Sequence, residues 1–127
     1  MTRCSLLAIL LIPAVGCVER PEHVDTIRSP LAGLFVTVEV SYGGGPAVGD
    51  VSNIYAHLDV NGRSDKQLIL SGDYFQGTRV IWQSPSDVEL CLSKGALTDR
   101  YRNQVTLSVG DSLVTVHSHI DEPCAGS

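Results

Sequence analysis

The sequence predicts an all-β domain, an antiparallel β-sandwich or small barrel of about seven strands. Apolar and polar residues alternate in several short segments, which is the two-residue period of a half-buried strand. Turn residues recur between these segments roughly every 8–12 positions, as in sandwiches and barrels. Helix formers are scarce, whereas Val, Leu, Thr, Ser and Gly are abundant. These observations together favour strands throughout.

The chain opens with a positively charged start and an apolar run that ends at a cysteine. Arg3 supplies the charge, residues 5–15 are uncharged and mostly apolar, and Ala14-Val15-Gly16-Cys17 closes the segment. A membrane-spanning helix needs roughly 20 apolar residues, whereas a signal-peptide core needs about 7–15. The segment resembles the signal peptide of bacterial lipoproteins, with Ala14 where that class usually has Leu.

The resemblance covers residues 1–17 and implies that residues 1–16 are removed and that Cys17 carries a lipid. The mature protein would then be a membrane-anchored lipoprotein facing the periplasm or the cell exterior. Val18 is not Asp, which favours the outer membrane under the sorting rule of enteric lipoproteins. An ordinary secretory signal, in which Cys17 has no special role, is the alternative.

Under the lipoprotein interpretation each of the four cysteines has an explanation. Cys4 leaves with the signal and Cys17 is lipidated, so Cys91 and Cys124 remain as a pair. Such a pair in an oxidising compartment predicts a disulfide. Closing a loop of about 34 residues would stabilise the fold by roughly 3–4 kcal/mol on the chain-entropy model.

Residues 17–33 are predicted to be the lipidated cysteine and a polar tether, and residues 34–127 a single β domain. The first strand of that domain places Val36, Val38 and Val40 on one face. Its other face carries Phe35, Thr37 and Glu39.

The next two strands form a hairpin whose register is open from the sequence. Asn61-Gly62 suits a two-residue turn, but that turn would put Leu58 opposite Asp65. Pairing Leu58 with Leu68 keeps apolar residues together and makes residues 61–65 a five-residue loop. The second register is the expectation, because a one-residue slip reverses every face. Tyr55 and His57 point outward in either case.

The registers of two later hairpins are predicted from their turns. The turn around Pro85 pairs Trp82 with Val88. The Gly110-Asp111 turn pairs Leu107 with Val114 and continues until Arg102 faces His119. Cys91 is expected on the outer face of its strand, so a bond to Cys124 would hold the C-terminal tail across the sheet.

Composition and motifs exclude several functions. Fourteen acidic and nine basic residues give a net charge of −5, which disfavours nucleic acid and basic-patch membrane docking. There is no G-x-S-x-G and no S-x-x-K motif, and carboxylate pairs at strand spacing are missing, because Asp121-Glu122 is assigned to the tail. The protein is therefore expected to be no enzyme, with a hydrolase as a residual alternative, and to need no cofactor.

Two groups of residues are candidate sites. His117 and His119 lie on one strand face about 7 Å apart, a spacing that metal sites use, and His57 could join them. Two solvated histidines are the simpler interpretation. Tyr74 and Phe75 are adjacent aromatics in a glycine-bounded loop that could recognise a partner, unless Phe75 plugs the end of the sandwich.

The sequence thus predicts a non-enzymatic envelope lipoprotein that binds another envelope protein or a glycan. An inhibitor or immunity protein acting on a basic wall-degrading enzyme is the sharpest form of this prediction. The alternative is a periplasmic metal-binding protein that uses the outward histidines.

Overall fold

The architecture is given by a computed structural model that describes residues 23–41, 51–73, 78–92 and 98–121. These ranges contain nine strands and no helix, which confirms the all-β prediction. The strands are β1 (His23–Arg28), β2 (Leu34–Ser41), β3 (Val51–Val60), β4 (Arg63–Asp73), β5 (Arg79–Ser84), β6 (Asp87–Cys91), β7 (Thr98–Tyr101), β8 (Gln104–Val109) and β9 (Ser112–Asp121).

The strands form two sheets that pack face to face as a sandwich. The larger sheet has the order β1-β2-β3-β4-β7 and the smaller has the order β5-β6-β9-β8. Every pair is antiparallel except β6 with β9, which run parallel. Two of the nine strands, β1 and β7, were not among the seven expected from the sequence.

The predicted tether is wrong from His23 onward, because residues 23–28 form a strand. β1 pairs along its whole length with β2, from His23 opposite Val40 to Arg28 opposite Phe35. Ile27 packs against the core, and its carbonyl accepts a hydrogen bond from Trp82 Nε1 at 3.1 Å. The alternation of β1 is weak because Ile27 is its one half-buried residue, so the sequence pattern did not predict it.

The expected register of the β3–β4 hairpin is also wrong. Val60 pairs with Arg63 across a two-residue turn, in which Asn61 (φ 52°) and Gly62 (φ 79°) are both left-handed. Leu58 does lie opposite Asp65. The polar residue is tolerated because its carboxylate reaches β8 and accepts the Ser108 N–H at 2.8 Å.

A β-bulge restores the apolar faces further along this hairpin. Tyr55 pairs with Leu68 and Ile54 pairs with Leu70, so Ile69 is the extra residue on β4. Both Ile69 and Leu70 are consequently buried. Without a bulge, apolar residues could pair with each other only across a longer loop, which is why the five-residue loop was expected.

The core lies between the sheets, and the two later hairpins have the predicted registers. Trp82 pairs with Val88, and Leu107 pairs with Val114. Cys91 lies outside the main core cluster and is nevertheless fully buried. The buried apolar cluster comprises Leu34, Val36, Val38, Ile54, Ala56, Leu58, Ile69, Leu70, Val88, Leu90, Leu92, Val105, Leu107, Val109 and Val116.

Strands β7 and β8 follow each other along the chain but belong to different sheets, with residues 102–103 between them. The Arg102 N–H donates to the Ile69 carbonyl at 2.8 Å, and Ser118 N–H donates to the Asn103 carbonyl at 2.9 Å. The β8–β9 ladder ends at Gln104. Arg102 therefore does not face His119 as predicted, and its guanidinium lies 3.5 Å from Gln67 Oε1 instead.

The two ends of the sandwich differ. At one end, which we call the turn end, short connections at residues 29–33, 61–62, 85–86 and 110–111 join consecutive strands. At the other end, the His23 end, lie His23, Ser41, Val51, Asp73 and Thr98. Across the residues that the structure describes, we find no helix long and apolar enough to cross a bilayer.

Candidate functional site

The outer face of the larger sheet carries a row of side chains that contact one another across four strands. Arg28, Phe35, His57 and Lys66 lie directly opposite one another on β1, β2, β3 and β4. This row, together with Tyr55 beside it, is called the ring ladder below. Phe35, Tyr55 and His57 alternate with buried apolar residues along β2 and β3, so their side chains point away from the core. Arg28 and Lys66 lie opposite them and are exposed on the same face.

The two central rings of the ladder stack on each other. The centroids of Phe35 and His57 are 4.6 Å apart and their planes differ by 5°. This separation is close to the strand spacing of about 4.8 Å, so the rings stand up from the sheet and expose their edges. The guanidinium of Arg28 lies 5.4 Å from the centroid of Phe35, in the range of a cation–π contact.

A hydrogen-bond chain fixes the orientation of His57. The Thr37 hydroxyl donates to Glu39 Oε2 at 3.1 Å and lies 2.7 Å from His57 Nε2. A hydroxyl has one hydrogen, and here Glu39 takes it. His57 Nε2 must then carry the proton that Thr37 accepts, which assigns the neutral Nε2–H tautomer from the network.

Lys66 closes the ladder on the side of β4. Its ammonium lies 4.0 Å from the centroid of Tyr55 and 3.3 Å from Glu39 Oε2. The Lys66 side chain therefore crosses β3 over the Tyr55 ring to reach a carboxylate on β2. The Glu39 side chain is 14% exposed, so this ion pair is shielded more than a surface pair.

The surroundings of His57 favour the neutral form of its imidazole. Burial of the ring, and next the positive charge of Lys66, lower the pKa of His57 below its ordinary value. The carboxylates of Glu39 and Asp59 oppose this shift more weakly. A neutral ring stacks on Phe35 without repelling the cations at the two ends of the ladder.

The trio of Thr37, His57 and Glu39 has the residue types of a nucleophilic triad but not its order. In a triad the imidazole lies between the hydroxyl and the carboxylate, so that it can remove the hydroxyl proton. Here the hydroxyl lies in the middle, and Thr37 is buried at 5% exposure. The arrangement fixes side chains in place and does not activate a nucleophile.

The structure does not bring the three predicted metal-binding histidines together. His117 and His119 are exposed on β9 of the smaller sheet, whereas His57 belongs to β3 of the larger sheet. His57 Nε2 is also engaged by Thr37. Within residues 23–41, 51–73, 78–92 and 98–121, no group of three or more His, Cys, Asp or Glu side chains could hold a metal ion.

The smaller sheet carries a carboxyl pair, Glu89 and Asp121, that was not predicted from the sequence. Asp121 belongs to β9 and not to a tail. It lies opposite Cys91 on β6, and Cys91 is the next residue after Glu89 on the outward face of that strand. A hydrogen bond to Asp121, followed by lost hydration, raises the pKa of Glu89, while His119 and Arg79 oppose the shift. The pairing depends on parallel β6 and β9, for which the sequence carries no local signal.

Several predicted site residues lie outside the described residues. These are Cys17, the loop residues Tyr74 and Phe75, and Cys124. The Cys91–Cys124 disulfide, the lipid on Cys17 and the binding loop therefore stay predictions.

Part of the ring ladder was visible in the sequence. Phe35, Tyr55 and His57 were each assigned to outward positions, and aromatic residues repeated on outward faces are a signal of a shared surface. Arg28 was missed because β1 was taken as tether. Lys66 was missed because the expected register would place Ile69 opposite His57.

Comparison of the chain with protein-family models, curated proteins and solved structures finds no match.

Proposed function

We propose that this chain is an exported, lipid-anchored binding protein that recognises another component of the cell envelope, a protein or a glycan, without catalysing a reaction. The observation that carries the proposal is the ring ladder. It joins three aromatic rings and two cations on one face of a five-stranded sheet. Aromatic and arginine side chains on a rigid support are the residues that dominate binding energy at interfaces.

The geometry of the rings favours a protein partner over a stacked sugar. Phe35 and His57 cover each other's inner faces, and Arg28 and Lys66 cover rings at the sides. A sugar ring would need an open aromatic face, whereas a protein surface can pack against ring edges and pair with the cations. We therefore place a protein first and a glycan second.

The net charge of the chain limits the class of partner protein further. The chain carries a net charge of −5, so a partner that is basic outside the patch facing Arg28 and Lys66 would be attracted over a distance and would associate faster at low salt. A basic wall-degrading enzyme held inactive by this domain has that chemistry. In that form of the proposal the protein is an inhibitor or immunity protein.

The anchor part of the proposal rests on residues 1–17. Metabolic labelling with a palmitate analogue tests it on the full chain. We expect label on the wild type and none on Cys17→Ser. An unlabelled wild type would remove the anchor from the proposal.

The binding part is tested with matched pairs of outward substitutions on the two sheets. The mature domain is used to retain envelope proteins, once with Phe35→Ala and His57→Ala and once with His117→Ala and His119→Ala. We expect the first pair to weaken retention of the partner about tenfold or more and the second to leave it unchanged. Circular dichroism confirms that both variants are folded.

Two results would contradict the binding proposal. The wild-type domain could retain no envelope component under conditions in which a known lipoprotein retains its partner. Alternatively, both variants could retain the partner equally, which would place the interface elsewhere.

The alternative function is metal binding by the smaller sheet. One observation favours it, namely that His117 and His119 are both exposed on the same face of β9. Two imidazoles are fewer than the three or four protein ligands of ordinary zinc sites. We rank this function below partner binding.

A further inference from the structure

Every part of the chain outside the described ranges attaches to the His23 end of the sandwich. Residues 42–50 join Ser41 to Val51, and residues 74–77 follow Asp73 at the same end. Residues 93–97 lead into Thr98, which pairs with Gly72 near the same end of the sheet. The four short connections all lie at the turn end. The two ends of the sandwich therefore differ in their connections, and the N-terminal segment enters at the His23 end.

The connection between the predicted lipid and the sandwich is much shorter than the tether that was predicted over residues 17–33. The structure extends the domain back to His23, so five residues, 18–22, separate it from Cys17. Six Cα-to-Cα steps span at most about 21 Å even when the chain is fully extended. This is less than the length of the sandwich itself, since a ten-residue strand such as β3 spans about 30 Å.

Such a short connection limits how the domain can turn. If the lipid of Cys17 is in the bilayer, His23 must stay within about 21 Å of it. Inverting the sandwich would put the turn end at the lipid and leave His23 about 30 Å or more away, which the connection cannot reach.

We propose that the His23 end of the sandwich faces the bilayer that holds the Cys17 lipid, with the turn end directed away from it. The inference rests on the lipid anchor of the proposed function. The partner at this end is the lipid surface itself, and the attachment point and length of residues 18–22 select it.

The orientation also decides which surfaces a partner can reach. Arg28 lies five residues beyond His23 on β1, so the ring ladder stands about 17 Å above that end of the sheet. Phe35, His57 and Lys66 lie at the same level. The ladder is thus held away from the lipid, whereas Asp73 and Thr98 are held near it. A partner arriving from the envelope space meets the ladder first.

Two exposed apolar residues provide matched labelling sites at the two ends. Val51 begins β3 at the His23 end and is 43% exposed, and Leu113 lies next to the 110–111 turn and is 69% exposed. Neither contributes to the core cluster or the ring ladder. Substituting either by cysteine for a dye should therefore leave the fold unchanged.

The experiment measures energy transfer from the dye to the membrane. The lipidated full-length mature protein, carrying Val51→Cys or Leu113→Cys, is placed in vesicles of phosphatidylethanolamine and phosphatidylglycerol with an acceptor on a few lipid headgroups. We expect transfer from position 51 to exceed transfer from position 113 about twofold, because the two ends are separated by about 30 Å. Unsubstituted protein treated with dye gives the background from the native cysteines.

Mass spectrometry of the parent protein separates this inference from the proposed function. If mass spectrometry finds no lipid on the parent protein, the anchor and the orientation both fail. If the lipid is present and the two positions give equal transfer, or position 113 gives more, the orientation is overturned while the anchor stands.

A spacer variant tests whether the short connection of residues 18–22 causes the orientation of the domain. Twenty Gly and Ser residues inserted after Val18 form a flexible linker with a mean span of about 25 Å, and a far longer maximum. We expect the difference between positions 51 and 113 to shrink in this variant. An undiminished difference would mean that contacts with lipid, and not the short connection, orient the domain, which would overturn the stated cause.

Discussion

The outer faces of the two sheets are built from similar residue types and differ in how those residues are engaged. On the larger sheet His57 is stacked on Phe35 and hydrogen-bonded to Thr37. On the smaller sheet His117 and His119 are exposed to solvent. The ion pair of the larger face joins opposite charges, whereas the smaller face brings two carboxyl groups together. The difference shows that neighbours across strands, and not neighbours in sequence, decide what an outward residue does.

The strongest test of this comparison acts on the turn that holds β1, and with it Arg28, on the larger sheet. Gly33 has φ 82°, and a Cβ built there would lie 2.2 Å from the Asp59 carbonyl oxygen. We expect Gly33→Ala to lower the free energy of unfolding by about 3 kcal/mol, through left-handed strain and this clash. Urea unfolding of the mature domain measures it.

The matched control is on the smaller sheet. Gly110 also has positive φ, 58°, but its nearest atom to a built Cβ is a flexible Arg63 nitrogen at 3.5 Å. Gly110→Ala should cost about 1 kcal/mol. Equal losses from the two substitutions would show that the close approach of the 29–33 connection to β3 has no energetic role.

The next effect concerns the stacked rings. Phe35→Ala should destabilise the domain by about 1–2 kcal/mol, because it removes a cross-strand ring pair and a cation–π contact. His117→Ala, on an exposed position of the other sheet, should change stability by less than about 0.5 kcal/mol.

A double-mutant cycle isolates the stack itself. Phe35→Ala and His57→Ala should show a coupling energy of about 0.5–1.5 kcal/mol. A coupling indistinguishable from zero would mean that the two rings lie side by side without stabilising the sheet.

Acidification should weaken the larger sheet through His57. Because its pKa is lowered in the folded protein, the unfolded chain takes up the proton first as the pH falls below about 6.5. The contribution of His57 to stability is therefore complete above that pH and is lost as the pH falls through the lowered pKa. Urea unfolding between pH 7.5 and 5 should show this loss in the wild type. It should be reduced in His57→Phe, and an unchanged pH profile in that variant would contradict the assignment.

Glu89 should respond in the opposite direction. Its pKa is raised in the folded protein, so its contribution is most favourable below its ordinary pKa of about 4.5 and declines as the pH rises through the raised value. Glu89→Gln should therefore make the domain slightly more stable than the wild type at pH 7. The gain should vanish near pH 4, and a loss of stability at pH 7 would show that the carboxylate is stabilising.

The smallest effect is expected from metal ions. With two exposed imidazoles as ligands, zinc should bind the mature domain too weakly to shift its thermal midpoint at equimolar concentration. Calorimetric titration of the wild type and of the His117→Ala, His119→Ala variant checks this. Saturable micromolar binding that the variant loses would instead support the metal-binding alternative.

Prediction from the sequence succeeded where a turn and an alternating face agreed. The Gly110-Asp111 and Pro85 turns gave the correct registers because apolar residues on both strands matched without adjustment. It failed for β3–β4, where the bulge at Ile69 changes the pairing partway along the strand. It also failed for β1, whose inward face carries too few apolar residues to produce an alternating pattern.

The sequence by itself determined the all-β class, the identity of most core residues and the outward positions of Phe35, Tyr55 and His57. These follow from the two-residue period of a strand, which each segment carries locally. The tertiary structure alone decided which outward residues meet, because strand order and register are set by packing between segments far apart in the chain. That is why the ring ladder, the Glu89–Asp121 pair and the start of the domain at His23 could be described only once the sheets were assembled.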